Sequence, residues 1–246
     1  MKPHDTTRLD AKPSNSERTF HTVPRRLVSN FLGRDEVLQK INMIFTPAES
    51  PSIVVIRALG GQGKSQVALA YCRQIKQTLK SWSVFWVDAT SENTLRKDFE
   101  AIAERIKEPN ETVGDDNRVE FALEKLEEWS QPWLLVFDNY DDPSSFNILQ
   151  YISCGGNGHV LVTSRHAATD NLTISNNVVA LQGLSEKHSA ELLLQQSRIE
   201  QDEASLKHSK EIVKVMGCKN FILFLCSRGV LGEDRSRICP QNQRIL

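Results

Sequence analysis

From Ser52 onward the apolar positions follow one repeating pattern. A short β-branched run, Ile53 to Ile56, has the continuous hydrophobicity of a strand buried on both faces. A glycine turn follows, and then a helix is predicted over Lys64 to Leu79. Ser83 to Val87 reads as a second strand. Leu95, Phe99, Ile102 and Ile106 mark one face of a helix, and Val119, Ala122, Leu123 and Leu126 mark one face of another. Trp133 to Phe137, His159 to Thr163 and Val178 to Leu181 read as the remaining strands. Strands alternating with helices of this length require right-handed crossovers and hence a parallel sheet. Ser185 to Ser197 and Ala204 to Met216 read as two consecutive helices outside the alternation. Ahead of all this, Val37, Leu38, Ile41, Ile44 and Phe45 lie at helical spacing, and Pro47 and Pro51 end that helix. The first residues, to about 26, carry Pro3, Pro13 and Pro24 in a polar stretch without period and read as a tail.

Composition narrows the picture. The chain has 246 residues, 39% hydrophobic and 25% charged, enough for one large domain with its own core. Thirty basic and 31 acidic residues leave a formal net charge of −1. Such a balance supplies no global field for a polyanion, so no nucleic-acid partner is expected. No apolar run reaches the roughly 20 residues of a membrane span, and residues 1–30 lack the apolar stretch of a signal peptide. The expectation is a cytoplasmic protein without a membrane partner. The five cysteines, Cys72, Cys154, Cys218, Cys226 and Cys239, form no CxxC and read as reduced thiols. The six histidines suggest no triad or metal cluster. Trp82, Trp86, Trp129 and Trp133 read as packing residues, and Gly155-Gly156-Asn157-Gly158, ahead of a strand rather than a helix, as a plain loop.

The chemistry sits after the first strand. Arg57-Ala58-Leu59-Gly60-Gly61-Gln62-Gly63-Lys64-Ser65 lies between a buried strand and a helix, the context a phosphate-binding loop requires. The glycines let backbone N–H groups surround a β-phosphate, and the helix start adds its own unpaired N–H groups. Lys64 can reach the β- and γ-phosphates as a point charge, and Ser65 can place its hydroxyl on Mg²⁺. The pattern is GxxxxGK[ST] with Ala58 in place of the first glycine.

The third strand ends in Asp138, at the strand end that faces the ligand crevice of a parallel sheet. There it would hold a water of the Mg²⁺ shell; otherwise it simply starts the turn through Pro143. Asn139 follows at the position where many nucleotide hydrolases place an acid to orient water. An amide cannot accept a proton near neutral pH, so turnover is expected to be slow or absent, with Asp141 or Asp142 as the nearest substitutes. The fourth strand ends Thr163-Ser164-Arg165. Arg165 would either sense a γ-phosphate or be a solvated surface arginine.

Taken together and in order, these motifs resemble the NB-ARC domain, the nucleotide-binding switch of NOD-like immune receptors and related STAND-type signalling ATPases, in its fungal form. The residues that carry the resemblance are Leu59 to Ala70, Phe31-Leu32-Gly33-Arg34-Asp35, Val84 to Ala89, Asp138-Asn139, Thr163-Ser164-Arg165 and Leu181-Gln182-Gly183-Leu184-Ser185. The resemblance covers about Val28 to Gly217. It implies an α/β fold: a three-layer αβα P-loop NTPase with a mostly parallel five-stranded sheet and C-terminal helices. It also implies that the Arg165 strand lies between the glycine-loop strand and the Asp138 strand.

Adenosine nucleotide, ADP at rest and ATP on activation, with Mg²⁺, is the implied ligand. Its implied contacts are Arg34, Gly60, Gly61, Gln62, Gly63, Lys64, Ser65, Gln66 and Arg165, with Ser65 and Asp138 serving the metal and Asp138 and Asn139 at the catalytic position. The resulting layout is a disordered tail at 1–27, the nucleotide-binding domain at 28–200, the start of a helical extension at 201–218, and an irregular tail at 219–246. After Cys218 the family's Leu-Pro-Leu-Ala type segment is replaced by Lys219 to Arg228, so the module reads as C-terminally truncated, and family-type homo-oligomerisation is not expected of it. Two other readings remain open: a P-loop kinase or metabolic ATPase, and a product that binds nucleotide without signalling.

Overall fold

The computed structural model describes residues 18–25, 31–46, 52–114, 117–153, 157–197 and 202–216. Within them the elements run α1 (Asp35–Phe45), β1 (Ile53–Arg57), α2 (Lys64–Thr78), β2 (Ser83–Asp88), α3 (Glu92–Ile106), α4 (Arg118–Glu127), β3 (Trp133–Asp138), β4 (Gly158–Ser164), β5 (Val178–Ala180), α5 (Glu186–Ser197) and α6 (Glu203–Met216). The five strands form one sheet in the order β2-β3-β4-β1-β5, and every pairing is parallel. β4 therefore lies between β1 and β3, as the resemblance implies.

Period-two alternation assigns the strand residues to two cores. Val55, Phe85, Val87, Leu135, Phe137, Val160 and Val162 pack with α3 and α4. Val54, Ile56, Val84, Trp86, Leu134, Val136 and Leu161 pack with α1 and α2 on the other face. That is the three-layer arrangement. Helix α3 buries Leu95, Phe99, Ile102 and Ile106, the face the spacing predicts, and its start is closed by a reciprocal Ser91–Thr94 cap. Helices α5 and α6 pack on each other through Ala190, Leu193 and Val213, a small cluster separate from the sheet cores.

At the entry end of β3 and β4, Trp133 is 1% exposed and donates from Nε1 to the Leu126 carbonyl at 3.0 Å. Gly158 meets its ring so closely that a Cβ there would lie 2.0 Å from Cζ2. That contact accounts for the glycine where β4 begins.

The tail reading fails for residues 18–25. They lie along β2, the edge strand, with Val84 N donating to Phe20 O at 2.7 Å and Thr22 N to Val84 O at 3.0 Å. Trp86 N donates to Thr22 Oγ1 at 2.9 Å. The Phe20 ring packs against Phe85 and Trp129. An uncovered edge strand exposes unpaired backbone groups, and this segment satisfies those of Val84 and the Trp86 N–H. The expectations for residues 1–17, Cys154 and 217–246, including the apolar run Phe221 to Cys226, lie outside the described residues.

Candidate functional site

β1 is an inner strand, and at its exit Ala58 N continues the ladder onto Ser164 O at 3.1 Å. The loop then turns through Gly61 at φ 77° and reaches α2 through Gly63 at φ 85°. Both values lie in the left-handed region that favours glycine. Ala58, in contrast, is buried and hydrogen-bonded as strand, so the departure from the family pattern falls where no such conformation is required. Gly60 and Gly61 are exposed and Gly63 is half-buried, while Gln62 is buried and Gln66 half-buried on the first turn of α2.

Lys64 is only 7% exposed. Its Nζ donates to the Ala58 carbonyl at 3.0 Å and the Leu59 carbonyl at 3.4 Å, both in the loop it follows. It makes no ion pair among the described residues. Burial pulls its pKa down; Asp141 opposes that, Arg165 reinforces it, and Asp138 opposes it. This is a buried ammonium held by carbonyls alone, close to a cluster of like and unlike charges.

Asp138 is the node of the strand ends. Its Oδ1 accepts from Ser65 Oγ at 2.8 Å and from Thr163 Oγ1 at 2.6 Å. Its Oδ2 accepts from Asn139 Nδ2 at 3.3 Å. Burial pushes the Asp138 carboxyl up, and the bonds from Thr163 and Ser65 only partly offset this. The structure thus brings Ser65 and Asp138 together, as the metal-site expectation requires. Asn139 stands at φ 64°, with its N–H donating to Thr163 Oγ1 at 3.0 Å. Asparagine tolerates that conformation, so this residue has a backbone role besides any chemical one.

The substitute acids are engaged elsewhere. Asp142 accepts from Ser144 N and Oγ in the following turn. Asp141 accepts from Arg165 Nε and from Arg165 N, each at 2.6 Å. The Arg165 stem passes over the loop, 3.8 Å from where a Cβ on Gly60 would stand. Arg165 is neither free in solvent nor already aimed at a phosphate; it is paired.

Arg34, expected as a nucleotide contact, is bonded to two backbone carbonyls. It is 9% exposed, and its Nη2 donates to Gln62 O at 3.3 Å and Gln182 O at 2.7 Å. It braces the glycine loop against the segment that follows β5. Thr163 and Gln182 belong to motifs of the resemblance and Asp141 was read as a substitute acid, but the contacts they make here, with Asp138, Arg34 and Arg165, were not foreseen from the sequence.

These residues fit a phosphate chain and its divalent cation. Among the described residues the buried ammonium makes no direct ion pair, the loop turns on glycines, and a hydroxyl and a carboxylate converge beside it. Among the described residues no group of three or more His, Cys, Asp or Glu side chains could hold a metal ion alone.

The parallel sheet with helices on both faces, with the glycine loop and the strand-end acid at one end of it, gives the chain the α/β fold of P-loop NTPases. Its fold is shared with the ORC1 protein of Aeropyrum pernix, solved in complex with DNA, at TM-score 0.60 and 17% identity, over 91% of this chain and 65% of that one. It is shared also with a Walker-type ATPase of Pyrococcus abyssi, at TM-score 0.57 and 13% identity, over 89% and 73%. No protein-family profile matches the chain.

In sequence the chain is similar to a nucleotide-binding leucine-rich repeat (NLR)-like protein of the fungus Hyaloscypha variabilis, 28% identical over 192 residues. The match covers 70% of this chain and 19% of that protein, so the chain spans about a fifth of its relative's length. This likeness bears out the NB-ARC resemblance carried by the motifs.

Proposed function

We propose that the module is an ADP/ATP switch of NB-ARC type, binding adenosine nucleotide with Mg²⁺ and turning it over slowly or not at all. The observation that carries the proposal is the Lys64 ammonium, buried on two loop carbonyls beside the Ser65–Asp138 pair. In this reading the loop from Gly60 to Gly63 with Lys64 holds the phosphates, and Gln66 lies beside them on the first turn of α2. Arg34 and Gln62 fix the loop's position. Ser65 and a water on Asp138 would hold Mg²⁺, which when bound neutralises phosphate charge. Asn139 leaves the attacking-water position without a base. The likeness to an NLR-like protein supports a signalling role over a metabolic one, with innate immunity as the setting and the cytoplasm as the location. The formal net charge of −1 favours partners other than nucleic acid. Among the described residues no helix is long and apolar enough to cross a membrane.

The test is mass analysis of nucleotide released from the purified, denatured protein. ADP at close to one per chain is the expected result. An empty protein that also takes up no ADP or ATP on incubation contradicts the reading. Phosphate release then addresses turnover: the wild type is expected to be slow and Asn139→Asp faster. A brisk wild-type rate abolished by Lys64→Ala would favour the metabolic ATPase.

A further inference from the structure

Arg165 and Asp141 form a two-point contact at the mouth of the glycine loop. The carboxylate takes Arg165 Nε on Oδ2 and Arg165 N–H on Oδ1, each at 2.6 Å. Asp141 N in turn donates to Asn139 O at 2.8 Å, which fixes the acid to the end of β3. The two halves differ in exposure: the Arg165 side chain is 60% exposed and the Asp141 side chain 20%. The arginine stem crosses Gly60, and both charges act on Lys64, Asp141 raising its pKa and Arg165 lowering it. Both are therefore within electrostatic reach of the ammonium assigned to the phosphates.

We infer that Asp141 is a latch that occupies the guanidinium of Arg165 and is exchanged for the third phosphate of a nucleoside triphosphate. The inference rests on the nucleotide reading above and on Arg165 as the arginine that senses a third phosphate; what it adds is the acid that holds this arginine when that phosphate is missing. A diphosphate leaves the Asp141–Arg165 pair intact. A triphosphate brings further negative charge beside Asp141, and Arg165, its side chain 60% exposed, is the cation that can turn to neutralise it. When the side chain leaves, the Arg165 N–H bond to Asp141 Oδ1 can persist, so β4 keeps its end point and only the exposed guanidinium moves. The cost of exchange is small, because an exposed ion pair is weak and charge-assisted bonds to phosphate replace it. Asp141 thus acts as a positioning residue that biases the site toward the diphosphate.

Calorimetric titration of the full chain with Mg-ADP and with the Mg complex of β,γ-imido-ATP tests this. Asp141→Asn keeps an oxygen for the Arg165 N–H and removes the charge. It is expected to tighten the triphosphate analogue by about three- to tenfold, the scale of a lost exposed pair with charge-assisted bonds, while ADP changes less than about twofold. The decisive arm repeats the substitution in an Arg165→Ala background, where the latch has nothing to hold and the triphosphate-to-diphosphate ratio is expected to stay put. An unchanged ratio in Asp141→Asn overturns the latch. So does a full shift that survives in the Arg165→Ala background, since Asp141 then repels the third phosphate by charge alone. If the wild type binds neither nucleotide, the nucleotide reading falls and the latch with it. That result is distinct from two proteins that bind both nucleotides with equal ratios.

Discussion

The two ends of the central strands β3 and β4 are built on opposite principles. At their entry end the residues are aromatic and closely fitted: Trp133 fills the space over Gly158, and His159 stacks between Phe45 and Trp82. The His159 ring there is held neutral, with burial pushing its pKa down to about 4. At the exit end Lys64, Asp138, Thr163, Ser65 and Arg165 converge, and burial works against the charged forms of both Lys64 and Asp138. The closed end supplies stability that the open end gives up. An open end poised in this way gains most from a ligand that brings the missing charge.

The comparison breaks most visibly at Trp133. Truncation to Ala should cost about 3–5 kcal/mol in urea denaturation, the scale for emptying a large buried aromatic site. A loss below about 1 kcal/mol would mean that the entry end is not the stabilising half.

The next effect is a pH dependence. Ser52 N donates to His159 Nδ1 at 3.3 Å, and charging the ring would remove that acceptor. The folded pKa lies below the ordinary value of 6.5, so between the two the unfolded chain binds the proton that the folded one refuses. Stability from this group is complete above pH 6.5 and is lost as pH falls toward about 4, by up to about 3 kcal/mol. His21, lowered by burial and then by Lys76, contributes with the same sign. The check is therefore the difference between wild type and His159→Gln across that window, which should shrink steadily as the solution is acidified.

At the exit end the sign reverses. Burial raises Asp138, so its charged form costs stability at pH above the folded value, and the penalty is absent where both states are protonated. Asp138→Asn should leave the ligand-free protein equally stable or more stable at pH 7, by up to about 1 kcal/mol, with the gain vanishing in acid. The same change should weaken Mg-nucleotide binding. Loss of stability at pH 7 would show that the Ser65 and Thr163 bonds outweigh desolvation.

Much of this was legible from the sequence because it is local. The buried runs, the helical faces and the strand–glycines–helix context each lie within one short stretch, and the structure keeps them with shifts of about a residue at the ends. What was hidden depends on register between distant residues. Thr163 meets Asp138 because β3 and β4 lie side by side, and Arg165 meets Asp141 because both leave adjacent strands. Arg34 reaches Gln182 across 148 positions. Phe20 was lost in a polar, proline-interrupted stretch, where one aromatic and one threonine gave no period to read, yet they dock on the β2 edge. The 3-10 turns at Ile148–Tyr151, Ala167–Leu172 and Ser175–Asn177 were missed for a related reason: short i,i+3 turns leave no sustained hydrophobic period.

The most direct test is the thermal and urea stability of wild type and Lys64→Met with and without Mg-ADP. Methionine keeps most of the buried stem and removes the ammonium. At a nucleotide concentration about a hundredfold above its dissociation constant, the wild type should gain about 2.7 kcal/mol. Lys64→Met should gain nothing and, without ligand, should be no less stable than the wild type. Equal gains in the two proteins would contradict the account, because the nucleotide would then be held somewhere other than at the open end of the sheet.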